Sequence, residues 1–506
     1  MEYVLELKKI RKTFGELVAN DDIDLKVVKG SVHALVGENG AGKSTVMNIV
    51  TAIHSPDSGE IILNGEKVVF NNTLDAFKHG IGMVHQEFML FSDLTVLENV
   101  IMGFEQKNGP FIDKKKSREK VEEICRKYHF DLPLDMKVTY LPVAVLQQVE
   151  IVKVLYRGAD IIILDEPTSV LTPQGIEGLF DAIRFLKGMG KTIIIITHKL
   201  KEVFEIADYI TVLKDGKVVG NVLPSEVNEE KLAKMMVGRE VILKAQKNEF
   251  NPGEVVLDVQ NLSVVDANGV KRVKNVSFQI REGEILGIAG VAGSGQQQLL
   301  DAIVGTGGFE EGGKISYLGE DISKRSVRER RCSGISFVPQ DRMAEGVNRY
   351  GNIWENSIMG YHIVHGFGNS VFLNRPKIEE HTKNVLDNYS VKAQYQNDVI
   401  TSLSGGNIQK LVVGREFSMG SKLLVIEDPT RGIDVGAIEF IWARIIEMAS
   451  SGIAVLLISH ELNEVMQLSD TIKVMFNGEL SDGGSYGEKT EDEIGLLMTG
   501  GQNNVG

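Results

Sequence analysis

The sequence predicts an α/β fold made of two tandem domains, each an α/β core with a helical subdomain. Short β-branched apolar runs at 31–36, 161–164 and 192–196 alternate with helical stretches. Continuous apolar runs of this length are typical of parallel strands that are buried on both faces. Longer stretches with interleaved charges, near 95–160 and 350–420, predict a helical insertion in each half.

The second half of the chain repeats the motifs of the first half. Gly37 corresponds to Gly290, an offset of 290 − 37 = 253, and His198 corresponds to His460, an offset of 460 − 198 = 262. Self-similarity at a nearly constant spacing indicates a tandem duplication. The larger offset toward the C-terminus predicts a local insertion in the helical stretch of the second half. We therefore expect domain 1 over residues 1–245, a short polar linker over 246–253 and domain 2 over 254–506.

The composition argues against several classes of protein. A net charge of −14 argues against general nucleic-acid binding and against electrostatic attachment to anionic lipid. Cys125 and Cys332 are far apart and match no metal or redox spacing, so we expect reduced packing thiols in a cytosolic protein. No apolar run approaches the roughly 20 residues that span a bilayer, and the first residues do not resemble a signal peptide. If the protein works at a membrane, we expect other proteins to hold it there.

A glycine-rich segment in the first half predicts a phosphate-binding loop, because it follows a predicted strand and opens a helix. Its glycines let backbone N–H groups face phosphate oxygens, and the helix N-terminus adds positive potential. We expect Lys43 to bind the β- and γ-phosphates of ATP and Ser44 to bind Mg²⁺. The alternative is a glycine-rich turn without a ligand, which the lysine and serine at this spacing disfavour. The predicted ATP-binding residues of this segment are Gly37, Glu38, Asn39, Gly40, Ala41, Gly42, Lys43, Ser44 and Thr45.

Two carboxylates follow the predicted strand 161–164. The C-terminal end of a buried strand is where the site of an α/β protein is expected. We expect Asp165 to hold Mg²⁺ and Glu166 to polarise the attacking water. The alternative for an isolated Asp-Glu is a pair that caps a helix N-terminus.

Three further residues are expected to complete this first site. His198 ends the strand 192–197 and is predicted to contact the γ-phosphate or the water, a role that its repetition at His460 favours over a structural one. Gln86 is predicted to reach Mg²⁺ or the water. Phe14 is predicted to stack on adenine, with packing in the core as the open alternative.

These motifs, together with the segment Leu403–Asn407, resemble the ATP-binding-cassette (ABC) ATPases over nearly the whole chain. The fused pair of domains looks like the tandem ATPase subunits of bacterial sugar and nucleoside importers. The segments Val338–Arg342, Pro429–Gly436 and Gly495–Gly500 are similar to that subfamily. Further segments look more like its nucleoside branch, whose partner is a basic-membrane-protein-type lipoprotein; they are Gly82–Leu90 and Gly287–Val291.

The resemblance implies that the two cassettes pair head to tail, so that each ATP lies between the P-loop of one cassette and the signature segment of the other. The first site then joins the P-loop of domain 1 to the signature of domain 2, namely Ser404, Gly405 and Gly406. Its expected catalytic residues are Glu166, His198 and Gln86, and its expected Mg²⁺ ligands are Ser44, Gln86 and Asp165.

The second site, by the same pairing, is degenerate on both of its faces. Gln296 stands in the place of the P-loop lysine and Gln297 in the place of the serine, while Asp266 replaces the aromatic residue. We expect this site never to hydrolyse ATP and to bind nucleotide weakly or not at all, because losing one charged hydrogen bond costs roughly 1.5–3 kcal/mol. The residues assigned to the degenerate site are Gln296, Gln297, Glu427, Asp428, His460, Pro142 and Ala144.

The resemblance implies an importer ATPase that uses ATP and Mg²⁺ and powers nucleoside uptake from the cytoplasmic face of the cell membrane. Its implied partners are transmembrane permease subunits and, indirectly, an extracytoplasmic substrate-binding lipoprotein, with no nucleic acid. Import of a simple sugar of the ribose, galactose or xylose type stays open. A soluble tandem-cassette translation factor is disfavoured by the short polar join and the negative charge. A nucleotide sensor without turnover is disfavoured by Glu166 and His198.

Overall fold

The computed structural model divides the chain into two compact units, residues 1–241 and residues 242–506. It describes residues 2–500 except 16, 87, 109–110, 169–170, 172, 239–251, 267–268, 292 and 370. The predicted end of domain 1 at residue 245 and the linker residues 246–251 lie outside the described residues.

The described part of the first unit alternates strands and helices. Its strands are β1 (Tyr3–Phe14), β2 (Leu17–Val28), β3 (Val32–Val36), β4 (Ser58–Leu63), β5 (Glu66–Val68), β6 (Ile81–Val84), β7 (Lys107–Asn108), β8 (Phe111–Ile112), β9 (Ile161–Asp165), β10 (Thr192–Thr197), β11 (Tyr209–Lys214) and β12 (Lys217–Val222). Its helices are α1 (Lys43–Val50), α2 (Thr73–Lys78), α3 (Val96–Ile101), α4 (Lys114–Tyr128), α5 (Val143–Tyr156), α6 (Pro173–Gly188), α7 (Leu200–Ile206) and α8 (Glu229–Val237).

The strands of the first unit form a six-stranded sheet in the order β12-β11-β3-β10-β9-β6 and a four-stranded antiparallel sheet in the order β2-β1-β4-β5. Strands β9 and β10 are buried along their whole length and pair in parallel, which confirms the prediction made from their continuous apolar runs. The register places Ile196 of β10 opposite Asp165 of β9, and Thr197 of β10 opposite Val36 of β3. The C-terminal ends of these three strands are therefore aligned. The segments that follow β3, β9 and β10 therefore start at one edge of the sheet.

The helical insertion of the first unit consists of α3, α4 and α5, which pack on one another, as predicted for 95–160. Helix α3 begins with a capping box, because the Thr95 hydroxyl accepts from the Glu98 N–H and the Glu98 carboxylate accepts from the Thr95 N–H. The β7–β8 hairpin lies between α3 and α4. The insertion is thus attached to the sheet by the segments that leave β6 and return to β9.

The described part of the second unit repeats this arrangement. Its strands are β13 (Val255–Val265), β14 (Lys271–Arg281), β15 (Ile285–Ala289), β16 (Lys314–Tyr317), β17 (Glu320–Asp321), β18 (Ile335–Val338), β19 (Leu423–Glu427), β20 (Ala454–Ser459), β21 (Thr471–Phe476) and β22 (Glu479–Ser485). Its helices are α9 (Gln296–Val304), α10 (Val327–Cys332), α11 (Ile353–Ser357), α12 (Arg375–Asn388), α13 (Gly405–Phe417), α14 (Val435–Ser450), α15 (Leu462–Leu468) and α16 (Glu491–Met498).

The sheet order confirms that the two halves share one fold. The six-stranded sheet of the second unit, β18-β19-β20-β15-β21-β22, has the same order as β6-β9-β10-β3-β11-β12 in the first. Helices α11, α12 and α13 form the helical insertion predicted near 350–420. A π-helical turn at Arg342–Gly346 connects β18 to this insertion.

Two smaller findings bear on the expectations from composition. Cys125 is buried, as expected of a packing thiol, whereas Cys332 is exposed because it lies at the end of the short surface helix α10. The packing role expected of Cys332 was therefore wrong. Among the described residues, none of the helices combines the length and the apolar character that a membrane crossing requires.

Candidate nucleotide site

The glycine-rich loop of the first unit joins the end of β3 to the start of α1, which is the context predicted for a phosphate-binding loop. Gly37 has no room for a side chain, because an added Cβ would overlap the carbonyl oxygen of Leu213. Gly42 is the N-cap of α1 and has a φ of 95°, a left-handed conformation that glycine adopts without strain. The backbone of this loop therefore depends on its glycines, as the sequence indicated.

Lys43 is buried, with 5% of its surface exposed, and its ammonium group lies back across the loop. Its Nζ donates to the carbonyl oxygens of Gly37 and Glu38, at 2.8 and 2.9 Å. A phosphate oxygen is a stronger acceptor for an ammonium group than a neutral carbonyl is. The loop thus holds a full positive charge where β- and γ-phosphates were predicted to bind.

Ser44 and Asp165, the two residues expected to bind Mg²⁺ together with Gln86, are adjacent. The Ser44 hydroxyl donates to Asp165 Oδ1 at 3.5 Å. A hydroxyl and a carboxylate fit Mg²⁺, which binds protein oxygens together with water and substrate phosphates. Among the described residues, no group of three or more His, Cys, Asp and Glu side chains could hold a metal ion alone.

The three predicted catalytic residues form one hydrogen-bonded cluster. Glu166 Oε2 accepts from Gln86 Nε2 at 2.9 Å, and Glu166 Oε1 accepts from His198 Nδ1 at 3.0 Å. Glu166 has a φ of 45°, in the left-handed region that is strained for a residue with a side chain. This backbone conformation turns Glu166 away from the direction of β9, to the sheet edge where His198 follows β10.

The two carboxylates have different electrostatic environments. Burial, with the neighbouring charge of Glu166, raises the pKa of Asp165 to about 6, although Ser44 and Lys43 act in the opposite direction. Burial also favours the neutral form of Glu166, but the hydrogen bond from His198 and the nearby positive charges outweigh it, so the pKa of Glu166 lies below its ordinary value. Glu166 is therefore ionised at neutral pH, as a group that attracts the proton of a water molecule must be.

Phe14 ends β1 with 44% of its surface exposed, which excludes the core-packing alternative. Its ring lies edge-on to the His54 ring, with the centroids 5.3 Å apart. An exposed aromatic face is what stacking on a purine requires.

The corresponding loop of the second unit keeps the backbone shape but lacks the charge. Gly295 is the N-cap of α9 with a φ of 110°, and the Gln296 amide donates to the Val291 carbonyl oxygen at 3.1 Å. Gln296 therefore lies across its loop as Lys43 does, without a positive charge. Gln297 extends along α9, where its amide lies 3.4 Å from Asp301 Oδ1.

The carboxylate pair of the second unit is also held by a glutamine and a histidine. Asp428 Oδ2 accepts from the Gln340 amide and from His460 Nδ1, and Asp428 Oδ1 accepts from the His460 N–H at 2.8 Å. Burial and the neighbouring Asp428 raise the pKa of Glu427 to about 7, and the buried Glu427 Oε2 has no hydrogen-bond partner among the described residues. The hydrogen-bonded cluster is retained, but the shorter side chain of Asp428 also accepts a hydrogen bond from the backbone of His460.

The two signature segments start their helices differently. Ser404 is the N-cap of α13, and its hydroxyl oxygen accepts from the N–H and the side-chain amide of Asn407, at 3.4 and 2.9 Å. Pro142 occupies the N-cap of α5 and has no side-chain group that could cap the helix. The segment Pro142–Ala144 thus starts a helix without a side-chain hydroxyl.

Arg342 ends the segment Val338–Arg342 that resembles the subfamily, but the sequence assigned it no role in the site. Its guanidinium donates to the carbonyl oxygen of Arg431 at 2.8 Å and lies beside Gly405. The internal repeat could have drawn attention to this position. With the offset of 254 between Gln86 and Gln340, Arg342 corresponds to Phe88 in the first half (342 − 254 = 88), so the two halves differ here in charge.

Comparison with known proteins gives consistent matches over the chain. A family model described as ABC transporter matches residues 20–169 and 273–431. The chain is 43% identical over 500 residues to the guanosine import ATP-binding protein NupO of Bacillus subtilis (strain 168), covering 99% of this chain and 98% of that protein. It is 40% identical over 535 residues to the glucose import ATP-binding protein TsgD13 of Haloferax volcanii, covering 99% of this chain and 96% of that protein.

One solved structure matches nearly the whole length of the chain. It is the complex of archaeal ribosomal stalk protein aP1 and archaeal ribosome recycling factor aABCE1, with a TM-score of 0.62 and 18% identity, covering 94% of this chain and 89% of that chain. At this identity the likeness shows the fold and nothing about the activity.

Proposed function

The chain belongs to the ABC transporter family and is an ATP-hydrolysing import subunit, and we propose that it powers the uptake of nucleosides through partner permease subunits. The observation that carries the catalytic part of this proposal is the Gln86–Glu166–His198 cluster, at the sheet edge that also holds Lys43 and the Ser44–Asp165 pair. A charged cradle, a pair of hard oxygen ligands and an ionised carboxylate are the components that phosphoryl transfer to water requires.

In this mechanism each group of the first unit has one task. Lys43 leaves the carbonyl oxygens of its own loop and binds the β- and γ-phosphates, while Phe14 stacks on the adenine. Ser44, Gln86 and Asp165 would hold Mg²⁺, which neutralises charge on the phosphates when it is bound. Glu166 accepts a hydrogen bond from the attacking water, and His198 holds Glu166 in place through Nδ1 and contacts the γ-phosphate.

We propose that this site is completed by Ser404, Gly405 and Gly406 of the second unit. Both hydrogen bonds recorded for the Ser404 hydroxyl use its oxygen as the acceptor, which leaves its hydrogen available for a γ-phosphate oxygen. The first backbone N–H groups of α13 add positive potential at the helix N-terminus, which favours a phosphate group there. The opposite site, with Gln296 in the cradle and Pro142 at the helix start, is proposed to be inactive.

The nucleoside substrate is supported by the guanosine-importing relative at 43% identity and by the nucleoside-branch segments of the sequence. The second candidate, a simple sugar, is favoured by the glucose-importing relative at 40% identity. In either case we propose that permease subunits hold the chain at the cytoplasmic face of the membrane and that an extracytoplasmic lipoprotein delivers the substrate.

The test is phosphate release by the chain assembled with its permease subunits and its substrate-binding lipoprotein. Guanosine, adenosine and ribose are added separately. We expect nucleosides to stimulate ATP turnover and ribose to leave it unchanged; stimulation by ribose alone would instead establish the sugar importer. Purification of the chain with ribosomes, and without membrane proteins, would contradict both candidates.

A further inference from the structure

Arg342 lies where three segments of the second unit meet. It follows Gln340 by two residues and is the first residue of the π-helical turn Arg342–Gly346. Its Nη1 donates to the Arg431 carbonyl oxygen at 2.8 Å, and its Nη2 is 3.4 Å from the Gly432 carbonyl oxygen. The Arg342 guanidinium thus connects the loop that follows Gln340 to the turn at residues 431–432, which follows the carboxylate pair Glu427–Asp428.

The same guanidinium packs against the signature segment. A Cβ added at Gly405 would lie 2.8 Å from Arg342 Nη2, closer than real side chains approach. The guanidinium of Arg342 therefore occupies the space that a side chain at position 405 would need. A displacement of the start of α13 at Ser404 would change this contact.

Ordinary ion pairing does not account for this arrangement. Among the described residues, no carboxylate lies within ion-pair distance of Arg342, and its buried Nε has no hydrogen-bond partner. Its guanidinium donates to the neutral carbonyl oxygens of Arg431 and Gly432, while the nearby Asp341 carboxylate favours its charge and the Arg431 guanidinium opposes it. Placing an arginine here costs desolvation energy that a smaller residue would avoid, so stability alone does not explain it.

The internal repeat provides a comparison within one molecule. Phe88 corresponds to Arg342, and Val143 corresponds to Gly405 (405 − 262 = 143). The unit whose signature helix begins at Ser404 thus has the Arg-Gly pair, whereas the unit whose signature helix begins at Pro142 has Phe and Val. Since both units share one fold, the fold does not require the arginine.

We propose that Arg342 is a positioning residue for ATP hydrolysis, which holds Ser404–Gly406 and the 431–432 turn in one fixed arrangement and couples them to the Gln340 loop. The proposal rests on the proposed function, because Ser404 acts on the ATP that Lys43 binds. In the proposed site Lys43 and Phe14 of the first unit bind ATP, whereas Ser404 is proposed to act on the γ-phosphate that is cleaved. Loss of Arg342 therefore lowers kcat and leaves KM for ATP nearly unchanged.

The test uses the full chain assembled with its permease. Arg342→Phe, which copies Phe88, is expected to lower kcat by about 10- to 150-fold, the range that corresponds to the loss of one charged hydrogen bond, with KM for ATP within about two-fold. Arg342→Lys keeps the charge and one donor, and is expected to recover part of kcat. The matched control is Arg349→Ala, because Arg349 is exposed and donates to the Met343 carbonyl oxygen of the same turn without contacting Gly405.

An unchanged kcat in Arg342→Phe, or a rise in KM that accounts for the whole loss, would overturn the proposal. Thermal unfolding and assembly with the permease are measured for each variant, and if Arg342→Phe does not fold, the kcat and KM of Arg342→Lys decide. The proposed function is tested in the same assay by the wild-type turnover and by its loss in Glu166→Gln. If these two behave as expected while Arg342→Phe retains kcat, only the inference about Arg342 fails.

Discussion

Asp428 accepts hydrogen bonds from both the backbone N–H and the ring Nδ1 of His460, at 2.8 and 2.6 Å. The corresponding Glu166 accepts from the ring Nδ1 of His198 at 3.0 Å, and among the described residues the His198 backbone N–H makes no bond to it. Aspartate has one methylene group fewer than glutamate, so the carboxylate of Asp428 lies closer to the backbone. There it accepts hydrogen bonds from the His460 backbone and from the side chains of His460 and Gln340. We interpret the cluster of the second unit as a structural remnant of a catalytic one.

We therefore predict that Asp428→Ala lowers stability but leaves most of the ATP turnover. The change removes a buried acceptor of three hydrogen bonds, which costs about 1–3 kcal/mol in unfolding free energy. Thermal unfolding and phosphate release, measured on the same preparation, check the two effects. The matched variants Lys43→Ala and Glu166→Gln are expected to abolish turnover. A loss of turnover in Asp428→Ala as large as theirs would contradict an inactive second site.

Phe14→Ala is predicted to weaken ATP binding without slowing the chemical step. Base stacking on an aromatic ring contributes about 1 kcal/mol or more, which corresponds to a rise of roughly five-fold or more in KM for ATP. Phe14→Tyr keeps the ring and serves as the control. Steady-state phosphate release at varied ATP gives both constants, and an unchanged KM in Phe14→Ala would remove Phe14 from the site.

His33 is predicted to make the stability of the first unit dependent on pH. It is buried in β3 with its Nε2 2.8 Å from the Thr211 hydroxyl, and burial lowers its pKa to about 4. The unfolded chain takes up the proton below about pH 6.5 and the folded chain only near pH 4, so stability is full above pH 6.5 and declines as the pH falls to about 4. The shift corresponds to a loss of up to about 3 kcal/mol.

The second unit suggests the substitution that tests this pH dependence. His33 pairs with Tyr209 in β11, and Leu286 pairs with Thr471 in β21 at the corresponding position. His33→Leu is expected to flatten the stability profile of the first unit between pH 6.5 and 4, measured by chemical denaturation at a series of pH values. An equally steep decline in the variant would assign the acid sensitivity to other groups.

The sequence predicted the parts of the site that depend on local pattern. The apolar runs of β9 and β10 identified parallel strands, and parallel strands end at one sheet edge, so Glu166 and His198 were expected to lie close together. The sequence did not reveal which side chains pack around the start of α13. The approach of Arg342 to Gly405, 63 residues further along the chain (405 − 342 = 63), depends on how the π-helical turn packs against α13.

Ser404 offers a way to separate helix capping from catalysis. Its hydroxyl caps α13, so Ser404→Ala is expected to cost about 1 kcal/mol of stability, whereas glycine at an N-cap costs only a few tenths. Both variants remove the hydroxyl hydrogen that we propose binds the γ-phosphate.

We predict that Ser404→Gly keeps the stability of the second unit but lowers kcat by about 10-fold or more, because one hydrogen bond to a charged group is lost. Pro142→Ala is the control, since the first unit's signature segment is proposed to face the inactive site. Thermal unfolding and phosphate release of the assembled complex distinguish the two effects. If Pro142→Ala lost as much kcat as Ser404→Gly, the ATP site that contains Lys43 would not be completed by Ser404. The crosswise pairing of the two halves would then be wrong.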